Sequence, residues 1–278
     1  MAAASNTRII AAGAIGNVLE WYDFAVYGYF AAAIGRAFFP SEDKVAQVLA
    51  AFGIFAVGFL MRPVGGALIG YIGDRLGRRA ALTFSVAAMA IPTFLVGVLP
   101  GYDTLGLAAP ILLTLLRMVQ GLSVGGEYTT SIVFMIEHAR PGRRGMVGAV
   151  GCCGAAIGIL AGSATGAVLA SVMSEAALES WGWRIPFMLG LVVGLAGFFL
   201  RRGIHEEETA RKAVRSPLIE TLQNHRPLLL RLAALSVFNS VGFYVMFVYI
   251  VSWLQLADGI APARALGINT ISMALLPP

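Results

Sequence analysis

Charge is scarce in this chain. Only 13% of its 278 residues are Asp, Glu, Lys or Arg, about half the ~25% typical of soluble domains. That excludes an ordinary water-soluble enzyme. It does not make the chain disordered, because 58% of the residues are hydrophobic and disorder needs the opposite balance. Cysteine is nearly missing. Cys152 and Cys153 stand side by side in an apolar run, so no disulfide framework can be built. The three histidines fall at no metal-ligand spacing, no metal site or cofactor is expected, and no nucleophile–base arrangement suggests catalysis. Period-2 alternation in ~10-residue segments is missing too, which excludes a membrane β-barrel. Glycine is plentiful, at 33 residues, but has no collagen-like period.

What the chain has instead is long apolar runs. Eight segments stand out, at about 9–39, 47–73, 80–99, 105–136, 146–173, 185–200, 228–254 and 266–276. Runs near ~20 residues are what a helix needs to cross a bilayer, so the reading is an all-α membrane protein in contact with lipid. The first run is too long for a signal peptide and carries Glu20 and Asp23, so it reads as an uncleaved first span. The eighth covers only about half of a ~30 Å hydrocarbon core, so a C-terminally truncated chain is expected. Residues 1–200 then form a six-helix half, 201–227 a polar linker, and 228–278 the start of a second half. The linker carries His205, Glu206, Glu207, Glu208, Arg211, Lys212 and Arg215 before Pro217 and reads as solvated.

The net charge of +5 is carried by 20 basic residues, 18 of them arginine. They cluster between the apolar runs, which is an orientation signal rather than a nucleic-acid surface. Threading the spans puts 14 basic residues on one side, among them Arg75, Arg140, Arg144, Arg201 and Arg226, and four on the other, namely Arg36, Lys44, Arg184 and Arg264. The more basic side faces the cytoplasm, so the N-terminus is expected there.

Two stretches have the character of motifs. Gly70, Gly73, Asp74, Arg75, Gly77, Arg78 and Arg79 form a basic turn between the second and third spans. Its glycines permit close packing or a positive φ. Arg117, Gly121 and Gly125 repeat at four-residue steps in the fourth span, ahead of Glu127. The first resembles the loop G-x-x-x-D-R-x-G-R-[KR] of the major facilitator superfamily, with a gating role implied. The second resembles that superfamily's R-x-x-x-G-x-x-x-G. Further runs around Asn17, Glu20, Trp21 and Asp23, around Arg62, Pro63, Gly65 and Gly66, and around Trp183, Arg184 and Pro186 resemble the metabolite:proton symporter branch. Its members carry citrate, 2-oxoglutarate, other dicarboxylates, shikimate, or proline and betaines. The fifth span has Gly154, Gly158, Gly162 and Gly166 at four-residue steps, a small-residue face for close helix packing. It has none of the Gly-Pro pairing of the superfamily's antiporters.

Charges inside the spans need a reason, because each costs at least ~2.5 kcal/mol at a helix centre even on insertion scales. Glu20, Asp23 and Tyr27 share one face of the first span, with Asn17 on its flank. Arg117, Gln120, Glu127, Tyr128 and Ser131 share a face of the fourth. Counting residues at 1.5 Å each puts Glu20, Arg62 and Glu127 in one layer, with Asp23 and Arg117 in a second further out. Asp23 is expected to pair with Arg117, and Glu20 or Glu127 with Arg62. Asn239, Phe243 and Tyr244 form a polar-aromatic group in the seventh. Two readings stay open: buried ion pairs that fix helix register, or a substrate and proton pathway. The resemblance implies the pathway, with spans one, four and seven around a central cavity. Its consequence would be proton-coupled uptake of a small organic acid or zwitterion across a bacterial inner membrane. The alternative is a truncated remnant that cannot transport.

Overall fold

The computed structural model describes residues 6–137, 139, 140, 142–202 and 224–275. Among these there is no strand. The chain forms α1 (Asn6–Tyr29), α2 (Ala31–Phe38), α3 (Lys44–Leu60), α4 (Arg62–Leu76), α5 (Arg78–Val98), α6 (Tyr102–Leu105), α7 (Ala108–Glu137), α8 (Arg144–Val172), α9 (Glu175–Ser180) and α10 (Ile185–Arg202). After residues outside the description come α11 (Arg226–Tyr244), a π-helical turn (Val245–Tyr249), α12 (Ile250–Leu256) and α13 (Pro262–Ala274). Among the described residues, six stretches are long and apolar enough to cross a membrane: Lys44–Gly73, Ala80–Val98, Ala108–Tyr128, Arg144–Val172, Gly182–Phe199 and Arg226–Leu256. At 24 residues α1 also has the length to cross. The protein is therefore a multi-pass, all-helical membrane protein.

Two apolar runs that read as continuous are broken. The first divides at Phe30, whose backbone leaves the helical region at φ −101°, ψ 17°. The second divides at Met61, one residue before the first turn of α4, which carries Pro63. Proline has no N–H to continue the ladder and suits a first turn. In the basic turn, Gly77 adopts φ 92° and donates its N–H to the Gly73 carbonyl at 3.1 Å. A side chain would be strained at Gly77. Gly73 stands at ordinary distance from Ala81, and Gly70 faces open space. The Arg75 guanidinium lies 5.4 Å from the Tyr71 ring. The side chains of Asp74, Arg78 and Arg79 lie outside the described residues, as does the 203–223 part of the linker.

Successive spans run in opposite directions, so the bundle has two ends. The basic end carries the turns at 77 and at 142–143. The far end carries α2, α6, α9 and the residues between α12 and α13. There Arg36 pairs with Glu179 at 2.6 Å, and Arg184 donates to the Leu99 carbonyl at 2.6 Å. Packing is closest where glycines meet backbone, as lipid-embedded helices require. A Cβ on Gly154 would stand 3.1 Å from the Ala14 carbonyl oxygen, and one on Gly158 2.5 Å from that of Val18. The glycine face of α8 therefore packs along α1. On the opposite flank α7 meets α3 and α4 still more tightly. A Cβ on Gly121 would lie 2.1 Å from the Gly58 carbonyl oxygen, and one on Gly65 2.0 Å from that of Leu122.

Candidate functional site

The close seam between α7 and the α3–α4 corner brings the Arg62 backbone against Gly125. With α1 held by α8, the polar faces of α1 and α7 then meet inside the bundle. Asn17, Glu20, Asp23, Arg117, Gln120, Glu127 and Ser131 are all buried there, as are Ser85 and Thr93 of α5.

Asp23 is fully enclosed. One of its carboxylate oxygens pairs with Arg117 Nη1. The other accepts from Thr93 Oγ1 at 2.8 Å and Gln120 Nε2 at 3.0 Å. The Arg117 guanidinium lies 4.0 Å from the Tyr27 ring centroid, a cation–π position. Tyr27 is itself fixed by donating its hydroxyl to the Ala51 carbonyl at 2.9 Å. The expected Asp23–Arg117 pair is present, and α5 adds a third helix to it through Thr93.

The second pair differs in kind. Arg62 Nη2 approaches Glu20 Oε1 only to 3.8 Å. Both Glu20 oxygens, Arg62 Nε and Nη2, Trp21 Nε1 and the Tyr244 hydroxyl are buried without a hydrogen bond. Around Asp23, Arg117 Nε and Nη2 and Gln120 Oε1 are likewise without a hydrogen bond. Around them stands an aromatic wall. The Arg62 guanidinium is 3.9 Å from the Phe59 centroid and 4.7 Å from that of Phe24. Tyr244 stacks on Trp21 at 6.3 Å and meets Phe59 edge-on at 5.4 Å. A buried polar atom without a partner costs about 1–3 kcal/mol, and here several converge. Such a group can accept a ligand with both charge and apolar surface.

Glu127 takes a third arrangement. Residue counting placed it level with Arg62, but the Ser85 hydroxyl of α5 donates to it. Ser85 and Ser123 are also bonded to each other's backbone, at 2.6 and 3.0 Å. Deeper still, Asn17 donates to the Gly151 carbonyl at 3.3 Å and accepts from Ser131 at 3.2 Å. Tyr128 is half-buried next to Glu127. The Asn239 side chain lies outside the described residues. Sequence reasoning missed Ser85 and Thr93, although they and Met89 step by four along α5 and so share a face. It also left out the aromatic Trp21 and Phe59.

The structure is an all-helical bundle of membrane spans with paired charges at its centre. The sugar (and other) transporter family matches residues 9–211, and the chain belongs to that family, in the major facilitator superfamily. It is 37% identical over 263 residues to the glycine betaine/proline/ectoine/pipecolic acid transporter OusA of Dickeya dadantii (strain 3937), covering 89% of this chain and 52% of that protein. It is 38% identical over 260 residues to the alpha-ketoglutarate permease of Escherichia coli (strain K12), covering 93% and 60%. The proline/betaine transporter of the same organism is 42% identical over 199 residues, covering 72% and 40%. The chain thus spans about half the length of the curated relatives it matches. Among solved structures, a partially occluded inward open conformation of the xylose transporter XylE from E. coli superposes with a TM-score of 0.77 at 19% identity, covering 98% of this chain and 71% of that one.

Proposed function

We propose that the full-length protein is a secondary active carrier of a bacterial inner membrane. It takes up a small organic acid or zwitterion with protons, by alternating access, and needs no cofactor beyond the coupling proton. The reading is carried by the contrast between the two acid–arginine pairs. The Asp23 carboxylate of the first pair has three polar partners, Arg117, Thr93 and Gln120, whereas the Glu20 carboxylate of the second has neither oxygen hydrogen-bonded. A substrate carboxylate fits Arg62, since a guanidinium binds one bidentately, and the Phe59, Trp21 and Tyr244 rings fit the apolar body of the substrate. Taking up Arg62 releases Glu20. A proton on Asp23 would cancel its attraction for Arg117 and free that guanidinium in turn, so substrate and proton act on one chain of contacts. The named relatives carry betaine, proline and alpha-ketoglutarate, all small carboxylates, which supports a small carboxylate as the substrate of this chain.

Proteoliposomes test this. With an inward pH gradient, glycine betaine, proline or 2-oxoglutarate should accumulate. Asp23→Asn should abolish gradient-driven accumulation while leaving counterflow measurable, because the amide still accepts from Arg117 but carries no proton through the cycle. Unchanged accumulation in both Asp23→Asn and Glu127→Gln would place the proton route elsewhere. No uptake of any of the three would favour a chain that cannot transport.

The same reading puts residues 1–200 in one half of the carrier, 201–227 in a cytoplasmic linker and 228–278 in the second half. It rests on the excess of basic residues on that side. A cysteine introduced at His205 should resist a membrane-impermeant maleimide in intact cells and react after permeabilisation. Labelling in intact cells would reverse the topology.

A further inference from the structure

Positive and negative charge are unequally supplied inside the bundle. Among the described residues, Glu20, Asp23, Glu127 and Arg117 are buried there, and the partly buried Arg62 lies beside Glu20. Three carboxyl groups thus stand against two guanidinium groups. Arg117 sets its charge against that of Asp23, and Glu127 is engaged by Ser85. In the part of the site that this chain builds, Arg62 is therefore the cation left for a ligand anion. Glu20, with neither oxygen hydrogen-bonded, is the anion left for a ligand cation.

The aromatic rings divide in the same way. Phe24 and Phe59 already hold a cation, because the Arg62 guanidinium lies over both. Trp21, Phe243 and Tyr244 form a second group. Phe243 stands edge-on to Trp21 at 6.3 Å and to Tyr244 at 6.0 Å. Among the described residues no arginine lies over any of these three rings, and all three are only half-buried. Trp21 follows Glu20 directly in α1. Tyr244 touches Phe59 edge-on, so the two ring groups are contiguous. The site thus has one end built for an anion and another whose rings and carboxylate carry only negative potential.

We propose that Glu20 is a specificity-determining charge filter: with Trp21, Phe243 and Tyr244 it selects substrates that carry an alkylated ammonium beside one carboxylate, and it rejects dicarboxylates. The inference rests on the carrier reading and narrows its substrate class. A zwitterion gives Arg62 a carboxylate and Glu20 a counter-charge, and it leaves the net charge of the site unchanged. A dicarboxylate brings two negative charges to a place where Arg62 can meet one, and the second faces Glu20. Like charges repel far more strongly in a water-poor site than in water, so an unpaired charge is a means of discrimination. The rings act in the same sense. Their faces are the negative pole of the aromatic quadrupole, which attracts alkylated ammonium groups that have few or no N–H donors. Arg62 accepts both ligand classes, so the choice between them falls to Glu20.

Isothermal titration of the detergent-purified full-length protein, at fixed pH, tests the filter with three probes. They are glycine betaine, 2-oxoglutarate and 3,3-dimethylbutanoate, in which carbon replaces the quaternary nitrogen of glycine betaine at the same shape. The parent should bind glycine betaine about tenfold or more tightly than either of the others. Glu20→Gln keeps the size and removes the charge. It should weaken glycine betaine by about tenfold and tighten 2-oxoglutarate, so that the preference between them collapses. Glu20→Asp keeps the charge and should keep the order of the three. Trp21→Leu should weaken glycine betaine by about tenfold and leave 3,3-dimethylbutanoate within about threefold, since a ring face attracts only the cation. The parent's own ranking decides the matter even where Glu20→Gln does not fold. A parent that binds 2-oxoglutarate or 3,3-dimethylbutanoate as tightly as glycine betaine would overturn the filter and leave the carrier reading standing. Equal weakening of all three probes in Glu20→Gln would also overturn it, because Glu20 would then only hold the shape of the site. A parent that binds none of the three would overturn both the filter and the reading beneath it.

Discussion

Replacing Arg117 by glutamine should remove most of the folded protein, and replacing Asp23 by asparagine in the same chain should bring it back. Breaking a buried ion pair by deleting one partner costs about 3–5 kcal/mol, because the other charge stays behind. That is a large part of the ~5–15 kcal/mol that holds a typical domain together. The two partners are not equivalent here. Without Arg117, the Asp23 carboxylate keeps only the neutral donors Thr93 and Gln120. Without the Asp23 charge, the Arg117 cation still lies over the Tyr27 ring, and the asparagine oxygen still accepts from it. Asp23→Asn alone should therefore fold, as the transport test requires. Fluorescence-detected gel filtration from detergent extracts would read this. The monodisperse peak should fall at least tenfold in Arg117→Gln and return to within about threefold of the parent in the double variant. A full peak for Arg117→Gln would mean that the pair adds nothing to stability.

The second large effect should come from the smallest change. A Cβ on Gly125 would sit 1.9 Å from the Arg62 carbonyl oxygen and 2.7 Å from the Gly66 nitrogen. Those are backbone atoms and cannot swing aside, so α4 and α7 must separate. Overpacking typically costs about 1–3 kcal/mol and occasionally more, and contacts this short belong at the upper end. The displaced residue carries the Arg62 side chain, so Gly125→Ala should lose substrate binding even where some protein still folds. Gly70→Ala is the matched control. It meets nothing within 4 Å, and alanine in a helix interior gains roughly 0.5–1 kcal/mol over glycine. The thermal midpoint in detergent should fall by several degrees for the first and hold or rise for the second. Equal midpoints would contradict the close seam.

The seam also marks the limit of what the chain discloses by itself. The spans were legible because a hydrocarbon layer demands long apolar runs, and the charges inside them were legible because they are expensive there. Spacing placed Glu20, Asp23 and Tyr27 on one face, since helical geometry within a single span is fixed. Depth along the membrane could be counted as well. Rotation and neighbour choice could not. Glu127 counts to the same depth as Arg62, yet the helix that supplies it a donor is α5, through Ser85. Thr93 escaped notice for the same reason: a lone hydroxyl in an apolar helix commonly satisfies its own backbone, and Thr93 Oγ1 also lies 2.8 Å from the Met89 carbonyl. The hydrogen bonds from Asn269 to Tyr29 and Ser163, at 2.7 and 3.3 Å, were hidden more deeply, because the three residues come from helices more than 100 residues apart in sequence.

Trp21 lies at the joint between α1 and α11, stacked at 18° on Tyr244 and edge-on to Phe243. Of the other three tryptophans, Trp183 is sealed between Phe38 and Phe187 within the first ten helices, and Trp181 and Trp253 are about half exposed on the periphery. Trp21 therefore has its indole against the helix that follows the linker. If that helix shifts against α1 during the proposed cycle, quenching by the stacked phenol and the polarity around the indole should change together, and emission intensity and wavelength would report it without any attached dye.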